Sequence, residues 1–244
     1  MSRQKLGQHF LRNGAIGERI AAAACPQAEA IVVEIGPGRG ALTEKLLGRA
    51  RRVVAIELDA DLAAHLARRF AGEPRLEIVQ GDALSTDLAQ WGRVPIAGNL
   101  PYYAATPIIE KVVRLKAPRA VFLIQKEVAE RLAAQPGDRA YGYLTVATAL
   151  FASVRVLFEV KPGAFQPAPK VDSAVVLLDP RPTVPNADGI LELVSRAFRH
   201  KRKTLRNNLA PVYGIAVEEW PEAGLRAEQI PVAGFAEMYA RLKR

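Results

Sequence analysis

The sequence predicts an α/β protein: a mostly parallel sheet of seven strands, the last antiparallel, with a small C-terminal helical domain. Three observations carry this. Between residues 30 and 180, short β-branched runs alternate with amphipathic helical segments. A Gly-Pro-Gly-Arg-Gly turn at 36–40 follows the first of those runs, as in Rossmann-like nucleotide-binding sheets. Beyond Pro180, Pro182 and Pro185 the pattern turns wholly helical.

In chain order, residues 31–35 (Ile-Val-Val-Glu-Ile) read as a buried strand, and the glycine turn leads into a helix over 41–48. Residues 52–57 form the second strand, followed by a helix over 60–70. The third and fourth strands are 76–80 and 94–98, and a helix over 106–115 precedes the fifth at 121–125. Strands alternating with helices of this length imply a parallel sheet covered on both faces. Residues 154–160 and 174–178 have only a loop between them, so an antiparallel pair is expected to close the sheet edge. The prolines set one domain boundary, giving 1–182 and 183–244.

The 244 residues are half hydrophobic, which supports a substantial core and excludes wholesale disorder. The formal net charge of +9 argues for an anionic partner, nucleic acid first and an acidic membrane surface second. A single cysteine, Cys25, excludes an internal disulfide and a cysteine metal cluster. The three histidines, His9, His65 and His200, lack ligand spacing, so no catalytic metal is expected. The start of the chain has no apolar core of signal-peptide length, and no apolar run approaches a membrane span. A cytoplasmic monomer is the expectation.

The glycine loop alone fits any nucleotide-binding α/β protein, dehydrogenases included. Glu57 closes the second strand, where a carboxylate can accept ribose hydroxyls, and Asp82 follows the third, where it can receive an adenine amino group. Each has a plain alternative, a strand-end acid and a turn residue. Together with the loop, at the carboxyl ends of consecutive strands, they outline an adenosine pocket. The Walker pattern is absent, so the cofactor carries adenosine without polyphosphate, which points to S-adenosyl-L-methionine.

Asn99-Leu100-Pro101-Tyr102 suggests the chemistry. An amino group on a planar base needs acceptors to hold it and a flat ring to stack on. Asn99 offers a side-chain carbonyl, Leu100 and Pro101 offer backbone carbonyls, and Tyr102 offers the ring. Methyl transfer to an exocyclic nitrogen follows, by direct displacement and without a strong base. Arg196, Arg199, Lys201, Arg202, Lys203 and Arg206, with no acid between them, form a basic run. Such a run is by default a solvated helix face; in a chain at +9 it points to RNA phosphates.

These residues resemble the ribosomal RNA adenine dimethyltransferases of the kasugamycin-sensitivity type, a class I S-adenosylmethionine-dependent methyltransferase family. The resemblance runs nearly end to end. It covers Gly7-Gln8-His9-Phe10-Leu11, residues 34–40, Glu57, Gly81-Asp82-Ala83, residues 99–103, residues 165–175 (Phe-Gln-Pro-Ala-Pro-Lys-Val-Asp-Ser-Ala-Val) and residues 201–209. It implies that His9, Leu11, Gly36 and Gly38 contact the cofactor, Glu57 its ribose, and Asp82 and Ala83 its adenine. Asn99 would lie between cofactor and target. Phe165 would join Tyr102 as an aromatic face, although on its own residues it reads as a core plug. Family members often carry Asn where this chain has His9, and the first block begins near residue 1, so no long basic arm is expected before it.

The implied activity is dimethylation of two adjacent adenosines of small-subunit rRNA, on the immature 30S subunit, with S-adenosyl-L-homocysteine as product. Arg199, Lys201, Arg202, Lys203 and Arg206 would hold the RNA. Rival readings are a large-subunit rRNA methyltransferase of the antibiotic-resistance type, a DNA adenine methyltransferase and a non-catalytic ribosome-assembly factor.

Overall fold

A computed structural model of the chain describes residues 8–182 and 184–243, the side chain of Ile215 excepted. The expectations touching residues 1–7 and position 183 lie outside the described residues. The chain opens with β1 (Phe10–Leu11) and α1 (Gly14–Ala24), the helix capped by the Asn13 side chain, which accepts from the N–H groups of Ala15 and Ile16. Then follow β2 (Val32–Ile35), α2 (Ala41–Leu47), β3 (Val53–Glu57), α3 (Ala60–Arg69), β4 (Leu76–Gln80), β5 (Ile96–Asn99), α4 (Ala105–Arg114) and β6 (Ala120–Gln125). Next come α5 (Lys126–Ala133), α6 (Tyr143–Ala149), β7 (Ala152–Val160), β8 (Phe165–Gln166) and β9 (Ser173–Pro180). The chain ends with α7 (Ala187–Ala197), α8 (Leu205–Tyr213) and α9 (Val232–Leu242).

The main sheet has seven strands in the order β4-β3-β2-β5-β6-β9-β7. The β4/β3, β3/β2, β2/β5 and β5/β6 pairs are parallel, and β9 runs antiparallel to β6 with Phe122 opposite Val176. This is the Rossmann-like methyltransferase architecture. The strand order reverses between β2 and β5, so their carboxyl ends open a crevice, where such sheets bind ligands. β2, β3 and the first five residues of β6 are buried, as parallel strands covered on both faces must be.

Sequence patterning did not reveal the second, two-stranded sheet. There β1 pairs antiparallel with β8, Phe10 opposite Gln166 and Leu11 opposite Phe165. Two residues per strand are too few to show periodicity, and residues 11 and 165 meet only through the tertiary fold.

The chain divides into two compact units. One comprises residues up to 129 together with 153–180, the other 130–152 together with 181 onward. The sequence placed one boundary, at 182/183; the structure adds residues 130–152 to the tail unit. Within that unit the Tyr141 hydroxyl donates to the Ile230 carbonyl at 2.8 Å, and Gly137 N–H donates to the Glu228 carbonyl at 2.8 Å. The rings of Tyr141, Phe198 and Phe235 pack in series at 6.1 and 5.9 Å. Among the described residues, no helix is long and apolar enough to cross a membrane.

Candidate active site

A crevice open to solvent lies at the β2/β5 switch. Its floor is the glycine loop, where Gly36, Gly38 and Gly40 hold φ of 71°, 57° and 83°. At Gly38 the need for glycine is double: φ is left-handed, and a Cβ would lie 2.9 Å from the Phe10 ring. The Gly38 N–H donates to Glu57 Oε2 at 3.0 Å, while Glu57 Oε1 accepts from Asp59 N–H at 3.0 Å. One carboxylate thus ties the glycine loop to the turn after β3. Burial raises the Glu57 pKa, and the backbone donors of Asp59 and Gly38 oppose that rise.

Glu34, in the middle of β2, also lines the crevice and is fully buried. Its Oε2 accepts from the Thr43 hydroxyl at 2.6 Å, whereas Oε1 is buried without a partner among the described residues. Burial pushes its carboxyl up to about 8; the Thr43 hydrogen bond opposes this and the nearby Glu57 charge adds to it. Sequence reasoning did not assign Glu34 a role, although a carboxylate inside Val-Val-Glu-Ile was a signal that something polar meets it.

In the loop after β4, Asp82 is exposed and Ala83 is buried. Asp82 Oδ1 accepts from Leu84 N–H at 2.8 Å, and its own carbonyl accepts from the N–H groups of Ser85 and Thr86 at 3.0 and 2.8 Å.

Opposite them stands the turn at 99–102. Gly98 is required because a Cβ there would overlap the Ile35 carbonyl, so β5 brings Asn99 hard against the glycine loop. The Asn99 amide Nδ2 donates to the His9 carbonyl at 2.9 Å. A carbonyl only accepts, so the amide must present its NH₂ to His9, leaving Oδ1 as its acceptor. Pro101 keeps one lone pair, since its carbonyl already accepts from Ala104 N–H at 2.9 Å.

The Tyr102 hydroxyl shares a 2.8 Å hydrogen bond with Ser173 Oγ, and its ring packs 5.3 Å from that of His9, tilted 36°. Burial raises the Tyr102 pKa, which keeps the phenol neutral; the Ser173 bond opposes that rise. His9 Nδ1 donates to the Pro167 carbonyl at 2.8 Å.

The structure brings His9, Leu11, Gly36, Gly38, Glu57, Asp82, Ala83, Asn99, Leu100, Pro101 and Tyr102 together around this one crevice. Phe165, expected as a second stacking ring, is the exception: it does not line the crevice. It is 4% exposed, absent from the crevice wall, and packed in the apolar cluster with Leu11, Ile20, Val160 and Val175. Its burial follows from β8, whose first residue pairs with Leu11 of β1. Besides Glu34, Tyr103 was missed; it lines the crevice with 58% of its surface exposed.

In the second unit, Arg199, Lys201, Arg202, Lys203 and Arg206 are exposed in the turn between α7 and α8 and the first turn of α8. The run is therefore mainly a turn, not a helix face. Lys201 Nζ donates to the Arg139 carbonyl at 2.7 Å. Arg196 is paired with Glu192, one turn back on α7, at 2.7 Å, so the compensating acid lies just before the run.

A model of the family described as ribosomal RNA adenine dimethylase matches residues 1–243. The chain is 40% identical over 242 residues to a ribosomal RNA small subunit methyltransferase A of Thermotoga maritima, covering 99% of this chain and 86% of the relative. It is 45% identical over 251 residues to the protein of that name from Rhodospirillum rubrum, with 97% and 86% covered. Among solved structures, a dimethyladenosine transferase from Plasmodium falciparum superposes with a TM-score of 0.77 at 29% identity, covering 96% of each chain. The 23S rRNA methyltransferase ErmE superposes at 0.71 and 27%, covering 96% of this chain and all of the other.

Proposed function

The chain belongs to the ribosomal RNA adenine dimethylase family, and from that premise we propose that it dimethylates N6 of two adjacent adenosines in a hairpin loop near the 3' end of small-subunit (16S) rRNA. The methyl donor is S-adenosyl-L-methionine, and the setting is biogenesis of the 30S subunit in the cytoplasm, with the enzyme acting as a monomer.

The crevice fits that cofactor. Glu34 Oε1 is a buried acceptor for which no described residue supplies a donor, and the cofactor's ammonium group is a donor of the right kind. The left-handed turns at Gly36 and Gly38 bring backbone to the crevice wall, where a cofactor can meet it. Glu57 takes the ribose and Asp82 the adenine, with His9, Leu11, Gly36 and Ala83 completing the walls. When bound, S-adenosylmethionine supplies an electrophilic methyl group on a sulfonium.

The observation that carries the reading is the orientation of Asn99. With Nδ2 held by His9, Oδ1 accepts an N6 hydrogen of the target adenine, and the Leu100 and Pro101 carbonyls accept beside it. This favours a pyramidal N6, whose lone pair is then available for displacement. Tyr102, fixed by Ser173, offers its ring to the base, which must first leave its stack at a cost of a few kcal/mol. Stacking on one aromatic ring returns about 1–3 kcal/mol. Arg199, Arg202, Lys203 and Arg206, with Lys201, position RNA through its phosphates without reading bases.

A transfer assay with labelled S-adenosylmethionine tests this, comparing small subunits stripped of adenine methylation with naked large-subunit rRNA. Label confined to small-subunit RNA is expected. Label on large-subunit RNA alone moves the protein to the large-subunit methyltransferases, of which the 23S rRNA methyltransferase ErmE is one. Cofactor binding without label on either leaves an assembly factor.

A further inference from the structure

Lys111 projects from α4, the helix that begins just beyond Tyr103, onto the loop after β4. Its ammonium donates to three backbone carbonyls, Ala83 at 2.9 Å, Leu84 at 2.8 Å and Thr86 at 2.5 Å. An ammonium has three protons, so this one is saturated by the loop alone. Three carbonyl dipoles converging on one point repel one another unless a cation sits between them. The middle residue, Leu84, is held from both sides: its carbonyl by Lys111, its N–H by Asp82 Oδ1 at 2.8 Å. The chain of bonds Lys111–Leu84–Asp82 therefore fixes the Asp82 carboxylate through its Oδ1.

We infer that Lys111 is a positioning residue for cofactor recognition: by gathering the carbonyls of Ala83, Leu84 and Thr86 it sets the Asp82 carboxylate against the adenine amino group. This rests on the proposed pairing of Asp82 with adenine. Because α4 also carries the chain away from the 99–102 turn, one side chain ties the adenine loop to the segment that holds the target base. Arginine cannot replace it fully, since a planar guanidinium fork does not match three carbonyls converging on a point.

The test is the affinity of S-adenosylhomocysteine relative to S-inosylhomocysteine, which lacks the amino group, measured by calorimetry on the full chain. Loss of overall fold lowers both affinities alike; loss of Asp82 positioning lowers their ratio. Lys111→Met is expected to shrink the adenosyl preference about tenfold, to near that of Asp82→Ala. Lys111→Arg is expected to lie between and serves as the deciding variant if Lys111→Met does not fold. A ratio unchanged in both lysine variants but collapsed in Asp82→Ala overturns the inference and leaves the adenine pairing intact. A ratio unchanged in Asp82→Ala overturns that pairing and the inference with it.

Discussion

The amide nitrogen of Asn99 and the carbonyl oxygen of His9 lie 2.9 Å apart, and this bond decides which way the Asn99 side chain faces. The donor comes from the end of β5 and the acceptor from the segment leading into β1, so the strand at the switch point and the N-terminal segment close on each other across the crevice. The contact is to backbone at position 9, so it is open to His or Asn alike. The His9 ring is left to the Pro167 carbonyl and to Tyr102.

Asn99→Asp should be nearly as damaging as Asn99→Ala. A carboxylate cannot donate to the His9 carbonyl, and the two oxygens repel. Single-turnover methyl transfer is expected to slow on the order of a hundredfold in either variant, with S-adenosylhomocysteine binding far less affected.

Tyr102→Phe keeps the ring and loses the Ser173 partner. The expected effect is about 1 kcal/mol on transition-state stabilisation, whereas Tyr102→Ala removes the stacking surface and another 1–3 kcal/mol or so. Ser173→Ala and Tyr102→Phe remove the same bond, so the double variant should be no worse than the singles. Additive effects on kcat/KM would show that the bond is not shared.

The Glu34 carboxyl gives a signature in stability against pH. Its folded value, about 8, lies above the ordinary 4.5, so between those limits the native state binds the proton that the unfolded chain has released. This group's contribution is fully present below about pH 4.5 and is lost as pH rises through about 8. Denaturant unfolding of Glu34→Gln is expected to lack that decline, so its stability relative to the parent rises with pH across the window by a few kcal/mol or so. A parallel pair of curves would mean that Glu34 ionises normally in the folded protein.

Gly98→Ala should destabilise without touching the chemistry directly. The added Cβ meets the Ile35 carbonyl, a backbone atom that cannot step aside without moving β2 from β5. A loss of about 1–3 kcal/mol in denaturant unfolding is expected, together with weaker cofactor binding, since the crevice opens between those strands.

Neutralising Arg202, Lys203 or Arg206 should weaken binding to RNA of any sequence and flatten its salt dependence, by about one unit of log–log slope for each phosphate that no longer meets a cation. Arg196→Gln should change the slope little, because that guanidinium is already paired with Glu192. Filter binding across a salt series reads both.

Much of this was legible in the sequence. The strands announce themselves because parallel strands buried on both faces must be continuous apolar runs, and Glu57, Asp82 and Asn99 stand where such runs stop. What stayed hidden depends on residues distant in the chain coming together. The β1/β8 pair is too short to leave a pattern, and it is what carries Phe165 into the core and away from the crevice. Residues 130–152 read as part of the sheet domain by position, yet Tyr141 and Gly137 bond to residues 230 and 228 of the tail. Lys111 looks like one more surface lysine on an amphipathic helix until the loop after β4 is seen to wrap its ammonium.

The most direct measurement is mass spectrometry of nucleosides and of the 3'-terminal fragment of small-subunit rRNA, after reaction of unmethylated small subunits with S-adenosylmethionine. The expected product is N6,N6-dimethyladenosine at both adjacent positions, absent with Asn99→Ala. Dimethyladenosine only in large-subunit RNA, or none in either RNA from an enzyme that binds the cofactor, would contradict the proposed activity.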